Sequence, residues 1–188
     1  MLDTGYRESL HEVINNIYRV GLDPHEIKYI LLTHGHIDHL GAARAVRELV
    51  GAKIVLGRAD REYANGRLDL SYAKELGMVY ADPFELDILV DGGDTVTLGK
   101  TTFRAVATPG HTPGSVCLIC NGVIFSGDTL FADSCGRTDF PGSDPVEMTR
   151  SLKKLAALPG DYDVLPGHGD ATTLSYEREH NPYMRGVL

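Results

Sequence analysis

The chain has 188 residues, 43% of them hydrophobic, and a formal net charge of −8. That length favours one domain, residues 1–188, with a proper buried core. The acidity argues against a binder of phosphate backbones, and no apolar run approaches the length of a membrane span. The opening Met1-Leu2-Asp3-Thr4-Gly5 lacks the basic region and apolar stretch of a secretory leader. Three cysteines make no disulfide framework, and a cytoplasmic setting is expected.

Leu10, Val13, Ile14 and Ile17 recur at helical spacing, and Gly21 stops that helix. Asp23-Pro24 begins a turn, and residues 27–32 read as a buried strand. A helix is expected over about 41–49, a strand over 53–56, a helix near 58–65 and a loop after it. Residues 95–98 and 102–107 flank Gly99-Lys100 as a hairpin. Pro145 opens a helix to about Ala157. A strand over 163–165 and a closing helix over 173–180 follow.

The densest chemistry comes directly after the strand at Ile30-Leu31-Leu32. Thr33-His34-Gly35-His36-Ile37-Asp38-His39 packs three imidazoles and a carboxylate into six residues. Such groups cannot all be satisfied inside a core without a charge to organise them, and N/O donors in this pattern suit zinc or iron. Three later turns each set one more candidate ligand among glycines and prolines: Pro109-Gly110-His111-Thr112-Pro113-Gly114, Ser126-Gly127-Asp128 and Pro166-Gly167-His168. Five of the eight histidines fall in these motifs; His11, His25 and His180 read as surface residues.

One piece of geometry follows from the residues alone. Asn121-Gly122 between two apolar runs signals a two-residue hairpin turn. It pairs Cys120 with Val123 and, counting outward, sets Ser115 opposite Asp128. His111 and Asp128 then meet at the open end of one hairpin. Cys117 and Cys120 lie in that strand three residues apart, on opposite faces, so they read as small buried residues rather than a redox or zinc pair. Cys135 reads as structural too.

These motifs resemble the metallo-β-lactamase superfamily, over nearly the whole chain. Gly127-Asp128-Thr129-Leu130-Phe131 and Gly136-Arg137-Thr138-Asp139-Phe140-Pro141-Gly142 resemble in particular its small glyoxalase II-like, or hydroxyacylglutathione hydrolase-like, branch. The resemblance implies an α/β, four-layer αββα sandwich. It implies two divalent metal ions, zinc first and iron or manganese also suited. His34, His36 and His111 hold one ion; Asp38, His39 and His168 hold the other; Asp128 bridges them. Zinc lactamases that carry a Cys ligand have it where Asp128 stands, which argues against antibiotic hydrolysis as the main work. Family members begin with two or more strands, the second ending in an Asp-x-Gly turn that Asp3-Thr4-Gly5 matches. On that alignment the first N-terminal strands are lacking, and an open sheet edge invites a homo-oligomer.

The activity implied is hydrolysis of an acyl thioester, S-lactoylglutathione or a related hydroxyacylglutathione, through a metal-bridging hydroxide that Asp38 also orients. The glyoxalase lysine that contacts glutathione matches Arg137, whose guanidinium suits a carboxylate; the bland reading pairs Arg137 with Asp139 or Asp133. The long helical extension of larger glyoxalases is missing, and Tyr176, Arg178 and Tyr183 of the short tail are expected to replace part of it. Thr33, Thr108, Ser126 and Asp139 are candidates to support the ligand imidazoles. No nucleic acid or membrane partner is expected. The alternative is the glutathione persulfide dioxygenases, which share these motifs, including a Gly-Arg-Thr-Asp run, and hold one iron on the positions of His34, His111 and Asp128.

Overall fold

The computed structural model describes residues 1–66, 71–74, 76–77 and 83–185. The chain divides into two compact units, Met1–Leu89 and Val90–Leu188, and each has its own buried cluster.

In the first unit, helix α1 spans Leu10–Arg19 and half-buries Leu10, Val13, Ile14 and Ile17 as their spacing requires. Gly21 follows at φ 78°, a conformation that suits glycine and ends the helix. Asp23 accepts a hydrogen bond from the His25 amide (2.9 Å) and so opens a short 3-10 turn, Pro24–Glu26. Ile27 closes that turn through its own amide. The strand β1 is therefore confined to Tyr29–Leu31 rather than starting at residue 27. It runs parallel to β2 (Lys53–Gly57), with Ile30 opposite Ile54, and β3 (Ile88–Val90) completes the order β1-β2-β3. On the other side of β1, Leu2 bridges Leu31 in parallel, and the Asp3 amide donates to the Leu31 carbonyl (3.0 Å).

The helix expected over 41–49 is realised as α3 (Ala43–Val50), and a separate single turn, α2 (Ile37–Leu40), precedes it inside the histidine motif. Between them Gly41 leaves no room for a side chain: a Cβ there would lie 2.4 Å from the Ile37 carbonyl oxygen and 3.1 Å from that of Gly5. The next helix is a 3-10 turn, Arg58–Asp60, running into α4 (Arg61–Ala64). The loop expected after it falls largely outside the described residues. Ile30, Leu32, Leu40, Val46, Ile54 and Leu56 are almost fully buried here, each stabilising the fold by about 1.5–3 kcal/mol relative to exposure.

The second unit carries β4 (Thr95–Leu98), β5 (Thr101–Ala107), β6 (Val116–Cys120), β7 (Val123–Gly127), a small ribbon of β8 (Leu130–Phe131) with β9 (Ser134–Cys135), then β10 (Asp163–Pro166) and β11 (Thr172–Thr173). Its main sheet has the order β11-β10-β7-β6-β5-β4, with β10 parallel to β7. Leu98 faces Thr101, so Gly99-Lys100 is the expected two-residue turn. Cys120 faces Val123 and Leu118 faces Phe125, the register the hairpin count requires. Asn121 (φ 48°) and Gly122 (φ 80°) take the two positive φ values of that turn type.

Helix α5 (Pro145–Ala156) starts on Asp144, whose carboxylate accepts from the amides of Val146 and Glu147. Leu152 and Leu155 pack with Val106, Cys117, Ile124, Val164 and Leu174. Helix α6 (Leu174–His180) starts on Thr173, and α7 (Pro182–Arg185) follows. Cys117 is fully buried and Cys120 partly exposed, and burial pushes the Cys117 thiol up to about 11. That is the behaviour of a core residue. No helix among the described residues is long and apolar enough to cross a membrane.

Candidate metal-ligand clusters

The first unit gathers His34, His36, Asp38 and His39 where β1 ends and α2 begins. His36 is the residue before α2, in extended conformation, and Asp38 and His39 lie in its single turn. The switch from strand to helix brings the side chains together. The rings of His34 and His39 are 4.0 Å apart between centroids, and those of His34 and His36 are 4.9 Å apart. His39 Nε2 is 3.7 Å from Asp38 Oδ2. All three imidazoles are buried.

The ring nitrogens are oriented by a residue outside the motif. His39 Nδ1 donates to Asp3 Oδ2 (2.8 Å). Thr33 donates its amide to Asp3 Oδ1 and its hydroxyl to Asp3 Oδ2, each at 2.8 Å. A carboxylate only accepts, so the Thr33 proton is committed to Asp3, and Thr33 Oγ1 accepts from His34 Nδ1 at 3.1 Å. One carboxylate, directly and through Thr33, thus fixes Nδ1 as the donor in two histidines and leaves Nε2 as the acceptor nitrogen of each, the arrangement found behind metal-binding imidazoles. Asp3 was legible as part of an Asp-x-Gly turn, but nothing in its neighbours marks it as the partner of His39, which lies 36 residues on.

The second unit gathers His111, Asp128 and His168. His111 Nε2 and His168 Nε2 lie 3.5 and 3.6 Å from the same oxygen, Asp128 Oδ2. The meeting of His111 and Asp128 follows the hairpin register. His168 arrives because β10 runs parallel beside β7, where Pro166 faces Gly127 and the Gly167 amide donates to the Gly127 carbonyl (2.9 Å). His111 and Asp128 are buried, whereas the His168 side chain is 53% exposed.

The turn carrying His111 is clamped from several sides. Its carbonyl accepts from Ser143 Oγ (2.7 Å), the Gly110 carbonyl accepts from the Asp144 amide (2.8 Å), and the Pro109 carbonyl accepts from Ser151 Oγ (2.7 Å). His111 Nδ1 donates to the backbone carbonyl of Arg137 (2.8 Å), again leaving Nε2 to face Asp128. Gly136 makes that approach possible: a Cβ there would lie 1.8 Å from the Asp128 carbonyl oxygen and 3.2 Å from His111 Nδ1.

The supporting roles fall differently from the expectation at several positions. Thr33 does support a ligand imidazole. Thr108 bonds Thr129 (2.9 Å) and Ser126 donates to the Leu130 carbonyl (2.7 Å), so both brace turns. Asp139 takes Arg137 in a bidentate pair, Nε and Nη2 each at 2.6 Å, and the guanidinium stacks 4.0 Å over Phe140. The Arg137 guanidinium therefore stands beside the cluster as half of an ion pair, while its backbone carbonyl orients His111. In the tail, Arg178 donates to the carbonyls of Ala156, Leu158 and Gly160, which assigns it to closing the end of α5. Tyr176 stacks on His180 at 4.3 Å. Tyr183 lines a cavity of about 340 Å³ with Arg137, Thr138 and Met148.

Imidazole and carboxylate donors, with Nδ1 of His34, His39 and His111 already engaged, fit zinc, iron or manganese. Comparison with known proteins agrees. The metallo-beta-lactamase superfamily profile matches residues 1–168, and the chain belongs to that superfamily and has its α/β fold. Hydroxyacylglutathione hydrolase GloC of Haemophilus influenzae is 35% identical over 162 residues, 84% of this chain and 76% of that protein. Two solved structures, BLEG-1 B3 metallo-beta-lactamase and TTHA1623 in a di-iron-bound form, are each 34% identical with TM-score 0.82, over 97% of this chain and 87% of theirs. ETHE1 from Myxococcus xanthus is 27% identical with TM-score 0.77, over 98% of this chain and 73% of that one.

Proposed function

We propose that this chain is a binuclear metal-dependent hydrolase that cleaves an acyl thioester, S-lactoylglutathione or a related hydroxyacylglutathione. The observation that carries the reading is the pair of ligand clusters, four candidates in one unit and three in the other, with His34, His39 and His111 each tied through Nδ1. In this reading His34, His36 and His111 would hold one ion and Asp38, His39 and His168 the other, with Asp128 contributing to both. Two divalent cations, zinc first, would supply a Lewis acid for the thioester carbonyl and a hydroxide at neutral pH. Asp38, partly exposed at the edge of its cluster, would also orient that hydroxide. Arg137 and Tyr183 receive the thiol carrier, the guanidinium exchanging part of its bond to Asp139 for a substrate carboxylate.

The kinship with the Haemophilus hydrolase supports the thioester. A small-molecule substrate, a cytoplasmic setting, no nucleic-acid partner and a homo-oligomer complete the proposal; the net charge of −8 supports the exclusion of nucleic acid. The likeness to the Myxococcus protein favours a second reading, a mononuclear iron dioxygenase of glutathione persulfide on His34, His111 and Asp128. Purified protein is to be assayed against S-lactoylglutathione, glutathione persulfide with oxygen, and a β-lactam. The proposal predicts turnover of the thioester. Oxygen uptake without thioester hydrolysis selects the second reading, and efficient β-lactam opening alone overturns both.

A further inference from the structure

We infer that Asp60 is a positioning residue for the His34-Gly35-His36 turn, holding the two imidazoles in place by fixing the peptide between them. Asp60 lies outside every ligand motif and is fully buried. It occupies the N-cap position of α4, where an Asp side chain ordinarily accepts from the first amides of its own helix. Here it makes no side-chain cap bond. Instead Asp60 Oδ2 accepts the amide of Gly35 at 2.9 Å, 25 residues away in sequence. A buried carboxylate that accepts a distant amide, and not the first amides of its own helix, marks that amide as a group being held.

The same turn is enclosed from a second side. A Cβ on Gly35 would lie 2.5 Å from Tyr63 Cβ and 2.6 Å from Cγ, so the Tyr63 ring presses on the glycine backbone. That ring also meets His36 edge-on at 6.0 Å. Tyr63 is 1% exposed, and its hydroxyl has no hydrogen-bond partner among the described residues. Its contribution is therefore the shape of the ring. Asp60 and Tyr63 sit at the start of α4 and inside it, so one short helix carries both halves of the clamp. Asp3 orients His34 and His39 through their ring nitrogens; Asp60 and Tyr63 act on the backbone that spaces His34 from His36.

The inference rests on the reading that His34 and His36 are metal ligands, and the experiment separates the two. Zinc affinity of metal-stripped protein is measured by competition with a chromophoric chelator, alongside the melting temperature of the stripped protein and hydrogen exchange of the Gly35 amide. Asp60→Ala is expected to weaken zinc binding about 10- to 100-fold and to speed Gly35 exchange. Asp60→Asn keeps an acceptor oxygen and is expected to hold both within about threefold of the parent, and Tyr63→Phe likewise. If His36→Ala leaves zinc affinity unchanged, the ligand reading fails. If His36→Ala weakens it while Asp60→Ala does not, or if Asp60→Asn is as damaging as Asp60→Ala, the positioning role of Asp60 is overturned and the ligand reading stands.

Discussion

The two ligand clusters are built in opposite ways. In the first unit four candidate ligands come from six consecutive residues, and the only structural demand is a strand that turns into a helix. In the second unit three candidates come from three separate turns, brought together by a hairpin and by a parallel strand. The compact cluster is held from afar: Asp3 accepts from the His39 ring and Asp60 from the Gly35 amide. The dispersed cluster is supported across similar sequence separations, by the Arg137 carbonyl 26 residues from His111 and by Ser143 and Ser151, which brace carbonyls 32 and 42 residues away. Local density in sequence therefore does not spare a cluster its support from distant residues.

The largest expected effect comes from removing a ligand. His36→Ala should reduce turnover to background and lower bound metal measured by elemental analysis, whereas His11→Ala, on the exposed face of α1, should change neither. Full activity in the first variant contradicts the assignment of the compact cluster. In the dispersed cluster the severest substitution adds an atom: Gly136→Ala sets a Cβ against the Asp128 carbonyl. Overpacking of this kind costs about 1–3 kcal/mol or more, so a lower melting temperature and loss of metal are expected together. An unchanged melting temperature would show that the turn has room the geometry denies.

A middle-sized effect tests the remote support of the compact cluster. Asp3→Ala removes the acceptor of His39 Nδ1 and of Thr33 and should weaken metal binding roughly 10- to 100-fold. Equal affinity in the variant would mean that the rings orient without it. Smaller still is the response at the substrate contact. Arg137→Ala should raise KM for S-lactoylglutathione with kcat little changed, since uniform binding is lost rather than transition-state stabilisation; a fall in kcat alone would assign the guanidinium to the chemistry. The smallest effect concerns Cys117. Burial holds its thiol near 11, so the thiolate fraction is negligible at pH 8 and rises only as pH approaches that value. Iodoacetamide should modify partly exposed Cys120 first, and rapid modification of Cys117 in folded protein would show that β6 opens.

Much of both clusters was legible. The contiguous histidines announce themselves, and the hairpin at Asn121-Gly122 lets the meeting of His111 and Asp128 be counted out residue by residue. His168 was legible by resemblance, because its arrival depends on a parallel strand pairing that no local pattern encodes. The supporting residues were the hard part. Asp3 reads as a turn residue, and Asp60 falls unmarked inside the helix expected near 58–65; each becomes significant only when folding sets it against a residue 25 or more positions away. Thr108 and Ser126 stood next to the motifs and proved to brace turns, so adjacency in sequence was a poor guide to which groups touch a ligand. The single turn of α2 ahead of the expected 41–49 helix was not read, because it falls inside the run of histidines rather than in an apolar periodic stretch.

The most direct test of the central claim is metal content per chain, by elemental analysis of protein purified without added metal, with the S-lactoylglutathione assay run on the same sample. Two ions per chain with thioester turnover is the predicted result. One iron per chain, with oxygen consumed on glutathione persulfide and no thioester hydrolysis, would contradict it.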